Sequence, residues 1–135
     1  MANFSSAKGM ASELIAQSLL IAKGYSVHVP LVAEPYDLVA HENGTKNSFK
    51  IQVKTLRIRN DREDALVVKA TSSNGERYSK RDVDYVLAVN IDEGIGYLIE
   101  NTEQKEYWAK DFATAASKWT ELRLGGDTYG DSTRS

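Results

Sequence analysis

The sequence predicts one mixed α/β domain, with strands gathered between a helix near each end. Three observations carry this. An amphipathic helical pattern opens the chain and a second lies near its end, with strand and turn signals between them. Tyr85 to Asn90 is a nearly continuous apolar run, the pattern of a central strand covered on both faces. Asn43-Gly44 separates two strand-like segments and is a strong hairpin signal.

The elements follow in order. Ser5 to Lys23 reads as a helix, with Ser5 or Ser6 as its cap and Gly24 as its stop. Met10, Leu14, Leu20 and Ile21 fall along its expected apolar face. Tyr25 to Val29 alternates and ends at Pro30, which suits a strand. Tyr36 to His41 and Ser48 to Thr55 are the arms of the hairpin. On the second arm Phe49, Ile51 and Val53 share one face, and Lys50, Gln52 and Lys54 the other. Arg57 to Asp64 is expected to be a charged connector and Ala65 to Ala70 a strand. Thr71 to Gly75 and Asp92 to Gly94 read as turns, and Gly96 to Glu100 as the last strand. Lys110 to Leu122 reads as the second helix, with Trp108 and Trp119 packing beside it. Residues 1–124 are expected to form the domain, and 125–135, rich in Gly, Ser, Thr and Asp, a flexible tail.

Composition removes several kinds of chemistry. With 135 residues and 41 % hydrophobic content, the chain can bury a core without staples. It has no cysteine, so disulfides, thiolate zinc sites and cysteine nucleophiles are excluded. Its two histidines, His28 and His41, make a His-rich metal site or a serine–histidine triad a poor fit, and neither is assigned a role. No apolar run approaches a membrane span and no signal pattern opens the sequence, so a cytoplasmic protein is expected.

A net charge of −2 and a pI near 5.7 argue at first against nucleic acid. The charge is unevenly spread. Residues 46–81 hold ten Lys/Arg and four acids, a balance of +6, whereas the remainder carries −8. A basic segment inside an acidic chain marks that segment for attention.

Four residues fit a single site: Glu13, Asp37, Gln52 and Lys54. Asp37 opens a strand beside apolar neighbours, where acids are disfavoured. Alone it reads equally as a turn residue bonding a backbone amide. Gln52 and Lys54 lie two apart on one strand face, and the hairpin brings them beside Asp37. Alone they read as a solvated face, which Lys50 fits as well. On the helical wheel Glu13 lies roughly 20° from Leu20 and 40° from Gln17, inside the arc that should meet the sheet. A carboxylate aimed at a core is costly unless paired or metal-bound; a rim position reaching solvent is the alternative. Together the four match the needs of a hard divalent cation, which takes carboxylate and amide oxygens and carbonyls such as that of Val53. A nearby ammonium can orient water and stabilise charge on a phosphate. This is equipment for phosphodiester hydrolysis.

The order Glu on the first helix, Pro-x-Asp, hairpin and x-Gln-Val-Lys-Thr resembles the PD-(D/E)xK nuclease superfamily. Gly9-Met10-Ala11-Ser12-Glu13 and Gly24-Tyr25-Ser26-Val27 are similar to the opening of archaeal-type Holliday junction resolvases and of homing endonucleases with this fold. Tyr78-Ser79-Lys80-Arg81-Asp82-Val83-Asp84-Tyr85 and Gly96-Tyr97-Leu98-Ile99 resemble the segments that follow the active site there. The resemblance implies a restriction-endonuclease-like core, a mixed central β-sheet flanked by helices. It implies that Asp37 binds metal, that Gln52 stands where Asp or Glu is usual, that Lys54 is the catalytic lysine and that Glu13 is an extra acid. The metal ligands would be Asp37, Glu13 and Gln52, the ion Mg²⁺ or Mn²⁺ and the state a homodimer or homotetramer. Gln52 is the departure, since a neutral amide weakens the attraction for a cation; part of this group, intron-encoded homing endonucleases included, is similar in carrying Gln here.

The basic segment then acquires a use. Arg57, Arg59, Lys80 and Arg81 are expected to contact phosphates of duplex or branched DNA. The alternative is a solvated face paired with Asp61, Glu63 and Asp64. Tyr78 either stacks on or bonds the nucleic acid or packs internally. The function expected is a metal-dependent DNA endonuclease of site or structure specificity, homing-like and possibly phage- or intron-encoded. The alternatives are a Holliday junction resolvase, a general phage- or restriction-type nuclease, and an inactive DNA-binding module of the same fold.

Overall fold

The computed structural model describes residues 6–125. Helix α1 (Ala7–Ala22) starts where Ser6 accepts a hydrogen bond from the Gly9 N–H. It stops at Gly24, whose φ of 105° suits glycine. Strands β1 (Tyr25–His28), β2 (Leu38–Glu42) and β3 (Ser48–Thr55) follow, β2 and β3 joined by the Asn43-Gly44 turn. Next come β4 (Arg57–Arg59), a 3₁₀ turn (Asn60–Arg62) and β5 (Ala65–Lys69). The chain then forms β6 (Tyr85–Asn90), β7 (Ile95–Glu100), β8 (Glu106–Ala109), α2 (Phe112–Lys118) and β9 (Thr120–Arg123). No described helix is long and apolar enough to cross a membrane.

Six strands form one mixed sheet in the order β1-β2-β3-β6-β7-β9, with β3 and β6 parallel. A second sheet, β4-β5-β8, is antiparallel. The large sheet is covered on both sides. Leu87 and Val89 of β6 pack with Ile51 and Val53 against Ala16, Leu19 and Leu20 of α1. Val86 and Ala88 pack the other way, with Leu66 and Val68 of β5, Tyr107 and Ala109 of β8, and Ala115 of α2. This two-sided cover explains why β6 reads as an unbroken apolar run. Close approach of α1 depends on Gly96: a Cβ there would stand 2.9 Å from Leu19 Cδ1 and 3.1 Å from Leu87 Cδ1. The architecture is the mixed sheet flanked by helices that the sequence predicts.

Several expectations need correction. The buried face of α1 is Ser12, Glu13, Ala16, Leu19 and Leu20, while Met10, Leu14 and Ile21 are exposed. The true face is carried by small and polar residues, which a search for large apolar side chains passes over. The charged connector contains β4, because Arg57 to Arg59 pairs with β5. Gly96 to Glu100 is not the last strand, and Lys110 to Leu122 is not all helix. Asp111 caps α2 by accepting from the Thr114 N–H, Trp119 is already extended, and Thr120 to Arg123 pairs with β7. Trp119 packs edge-on to Tyr97, but Trp108 is exposed beneath the Lys118 ammonium. The expected tail, beyond Gly125, lies outside the described residues.

Candidate active site

Strand β2 begins at Leu38, opposite Ile51 of β3. From Gln52 onward, β3 is therefore bare on that edge. Asp37 turns into the gap. Its own N–H donates to the Ile51 carbonyl, and its Oδ2 accepts from the Val53 N–H, both at 2.9 Å. The Val53 carbonyl points to the same side as its N–H, because strand N–H and C=O groups of one residue share an edge. The bland reading of Asp37, a carboxylate bonding a backbone amide, is thus also true of it. The bond to the amide holds the carboxylate at the sheet edge rather than competing with a role there.

The other three residues meet it. Gln52 Nε2 donates to the same Oδ2 of Asp37 at 2.9 Å, which leaves its Oε1 free of that contact. Lys54 Nζ donates to the Thr71 carbonyl at 3.0 Å and lies over the Tyr78 ring, 5.4 Å from its centre. Glu13 is buried at 8 % exposure on the sheet-facing side of α1. Its neighbour Ser12 shares a 2.6 Å hydroxyl hydrogen bond with Thr55, which fixes α1 against the end of β3. Neither Asp37 Oδ1 nor the Glu13 carboxylate has a hydrogen-bond partner among the described residues.

Electrostatics mark the place as unusual. Burial pushes the Glu13 carboxyl up, and the charge of Asp37 pushes it further. Burial also raises Asp37, with the Val53 N–H and the Lys54 ammonium pulling back. Burial lowers the Lys54 ammonium against the pull of Asp37, and Lys69 adds to the lowering. Tyr78, buried and near Asp37, is pushed up to about 12, so it stays a donor and gives its proton to the Thr71 carbonyl at 3.1 Å. Perturbed groups in one place are a mark of function. Among the described residues no three of His, Cys, Asp and Glu gather as a metal cluster, so any cation would rely on two carboxylates and neutral oxygens.

The sequence profile of PD-(D/E)XK endonucleases matches residues 5–134. The chain belongs to the PD-(D/E)XK endonuclease family. A solved structure of a bacterial homing endonuclease, I-Ssp6803I, is similar at TM-score 0.62 and 22 % identity, over 82 % of this chain and 78 % of that one. It supports the restriction-endonuclease-like fold. No curated protein sequence matches the chain.

The basic residues of this family member are dispersed. Arg57 is exposed at the start of β4. Arg59 is held by Asp61 through two hydrogen bonds of 2.9 and 2.7 Å, the pairing that the alternative reading expects. Such an exposed pair is weak and can yield to a phosphate. Lys80 and Arg81 are exposed in the loop before β6, where the Arg81 carbonyl accepts from Lys50 Nζ. Thr71 and Ser12 are contributors that the sequence does not point to. Thr71 acts through its backbone carbonyl, which leaves no side-chain signature.

Proposed function

We propose that the chain is a divalent-metal-dependent DNA endonuclease that hydrolyses phosphodiester bonds at particular sites or structures. The observation that carries this is the meeting of Asp37, Gln52, Lys54 and Glu13 around the bare edge of β3, with carboxylate oxygens left unpartnered. Two mutually repelling carboxyls with raised pKa are a fit for a hard cation, which would relieve both. Asp37 and Glu13 would hold Mg²⁺ or Mn²⁺, with Gln52 Oε1 and the Val53 carbonyl as neutral oxygen donors. The chemistry such an ion supplies when bound is polarisation of the phosphate and acidification of water.

The chain's own residues do the rest. The Val53 N–H and Gln52 Nε2 fix the Asp37 carboxylate. Thr71 and the Tyr78 ring hold the Lys54 ammonium near Asp37. From there Lys54 orients the attacking water and steadies the charge that grows on the phosphate. Gln52 trades one unit of negative charge for a fixed hydrogen bond to Asp37.

One centre cuts one strand, so cutting both strands of a duplex takes two copies of the chain. Met10, Leu14 and Ile21, exposed along the outer face of α1, offer an apolar stripe for a second copy. A monomer by light scattering, unchanged in Leu14→Glu, would dismiss that assembly.

The deciding experiment is a cleavage assay on linear duplex and four-way DNA, with and without Mg²⁺. Metal-dependent cutting that disappears in Asp37→Ala and Lys54→Ala is the expected result. Equal cutting by both variants would overturn the site. Cutting at one linear sequence marks a homing-type enzyme, and cutting of four-way DNA of any sequence a resolvase. Binding of DNA without cutting marks an inactive module.

A further inference from the structure

A cavity of about 510 Å³ lies past the end of β3, between the start of α1, the start of β4 and the end of β6. It adjoins the candidate active site through two covalent neighbours. Thr55 of its lining follows Lys54, and the Ser12 hydroxyl that bonds Thr55 precedes Glu13. Lys8 and Arg57 line it, and neither forms an ion pair among the described residues. The first turn of α1 also opens here. Gly9 N–H goes to the Ser6 hydroxyl and Met10 N–H to the Ser6 carbonyl, while the Ala7 and Lys8 N–H groups have no partner among the described residues. Free N–H groups and the positive end of the helix dipole favour an anion.

Asn90 supplies an independent sign. It is only 7 % exposed, yet it lines this cavity. Its Oδ1 accepts from the Glu93 N–H at 3.3 Å, which fixes the amide orientation. Its Nδ2 therefore faces elsewhere and has no partner among the described residues. An amide donor held this deep without an acceptor is costly, and a ligand oxygen would satisfy it.

We propose that this cavity seats one backbone phosphate of the bound DNA strand, a few residues along β3 from the bond being cut. Asn90 Nδ2, the Arg57 guanidinium, the Lys8 ammonium and the helix N–H groups share its oxygens. Asp92, also in the lining, opposes the charge and tunes the affinity. The proposal rests on the endonuclease reading, because it takes its ligand from the DNA that reading supplies.

The test is duplex binding by fluorescence anisotropy across a salt series, in a Lys54→Ala background to prevent cutting. Lys8→Ala and Arg57→Ala should each weaken binding. Because both meet one phosphate, the double variant should flatten the plot of log affinity against log salt by about one unit. A fall of about two would mean two separate phosphates and would overturn the shared seat, as would no change at all. Asn90→Leu should weaken binding about tenfold without altering the slope. Asp92→Asn, at an exposed turn, should tighten binding; an unchanged affinity there would overturn the seat even if Asn90→Leu failed to fold. Lys23→Ala, at the far end of α1, should leave affinity and slope as they were. Failure of the parent protein to bind any duplex would bring down the endonuclease reading itself, a result distinct from all of these.

Discussion

Strands β3 and β6 lie side by side, parallel and central, yet they are used differently. Every β6 residue from Val86 to Asn90 is buried. In β3, Ile51 and Val53 are buried, while Gln52 and Lys54 between them are only partly covered. The contrast shows how the fold separates rigidity from chemistry. β6 anchors both cores, and β3 gives one face to the core and the other to the site. The price is visible in the raised carboxyls and the lowered ammonium.

The contrast can be broken from either strand. Lys54→Ala should reduce cleavage about 10²–10⁴-fold, the usual range for a positioned proton-transfer or charge-stabilising group, with no loss of Tm. Single-turnover nicking beside a melting curve reads both. Leu87→Ala, one residue over on β6, should do the reverse. It should cost about 3 kcal/mol in urea unfolding, while the fraction that remains folded cuts normally. Gly96→Ala should cost about 1–3 kcal/mol through the contact it forces on Leu19 and Leu87, again measured in urea.

The smallest effect sharpens the comparison most. Asp37 has a folded-state pKa above its ordinary value, so the native state binds more protons than the unfolded chain in that window. Stability without metal therefore falls as pH rises from the usual carboxylate range through the raised pKa. Asp37→Asn removes that loss. In EDTA its Tm should exceed wild type by a few degrees at neutral pH, and the gap should close as pH falls below the ordinary carboxylate range. A gap that widens towards acid would reverse the sign and discard the account.

Much of this was legible in the sequence. Period-two alternation placed Gln52 and Lys54 together, and the Asn43-Gly44 turn set them beside Asp37. The doubly covered β6 was plain from its run of apolar residues. What escaped had physical reasons. The inward face of α1 rests on Ser12, Glu13 and Ala16, whose sizes give no hydrophobic signal, so the wheel centred on Met10, Leu14 and Ile21 was turned away from the core. Strands β4 and β9 are three and four residues long, and their pairing comes from partners distant in the chain. The anchor for Lys54 is a main-chain oxygen, which any residue could provide.

The alternation along β3 constrains how this protein can be altered. Inserting one residue between Ile51 and Lys54 would exchange the strand's two faces, sending the amide and the ammonium into the layer beneath α1 and the apolar pair out to the site. A protein engineer has no tolerance for length changes there. Extra residues in the Asn43-Gly44 turn carry no such penalty, since the strands beyond it keep their pairing. Retargeting by insertion therefore belongs at that turn, while changes within β3 must be made one side chain at a time.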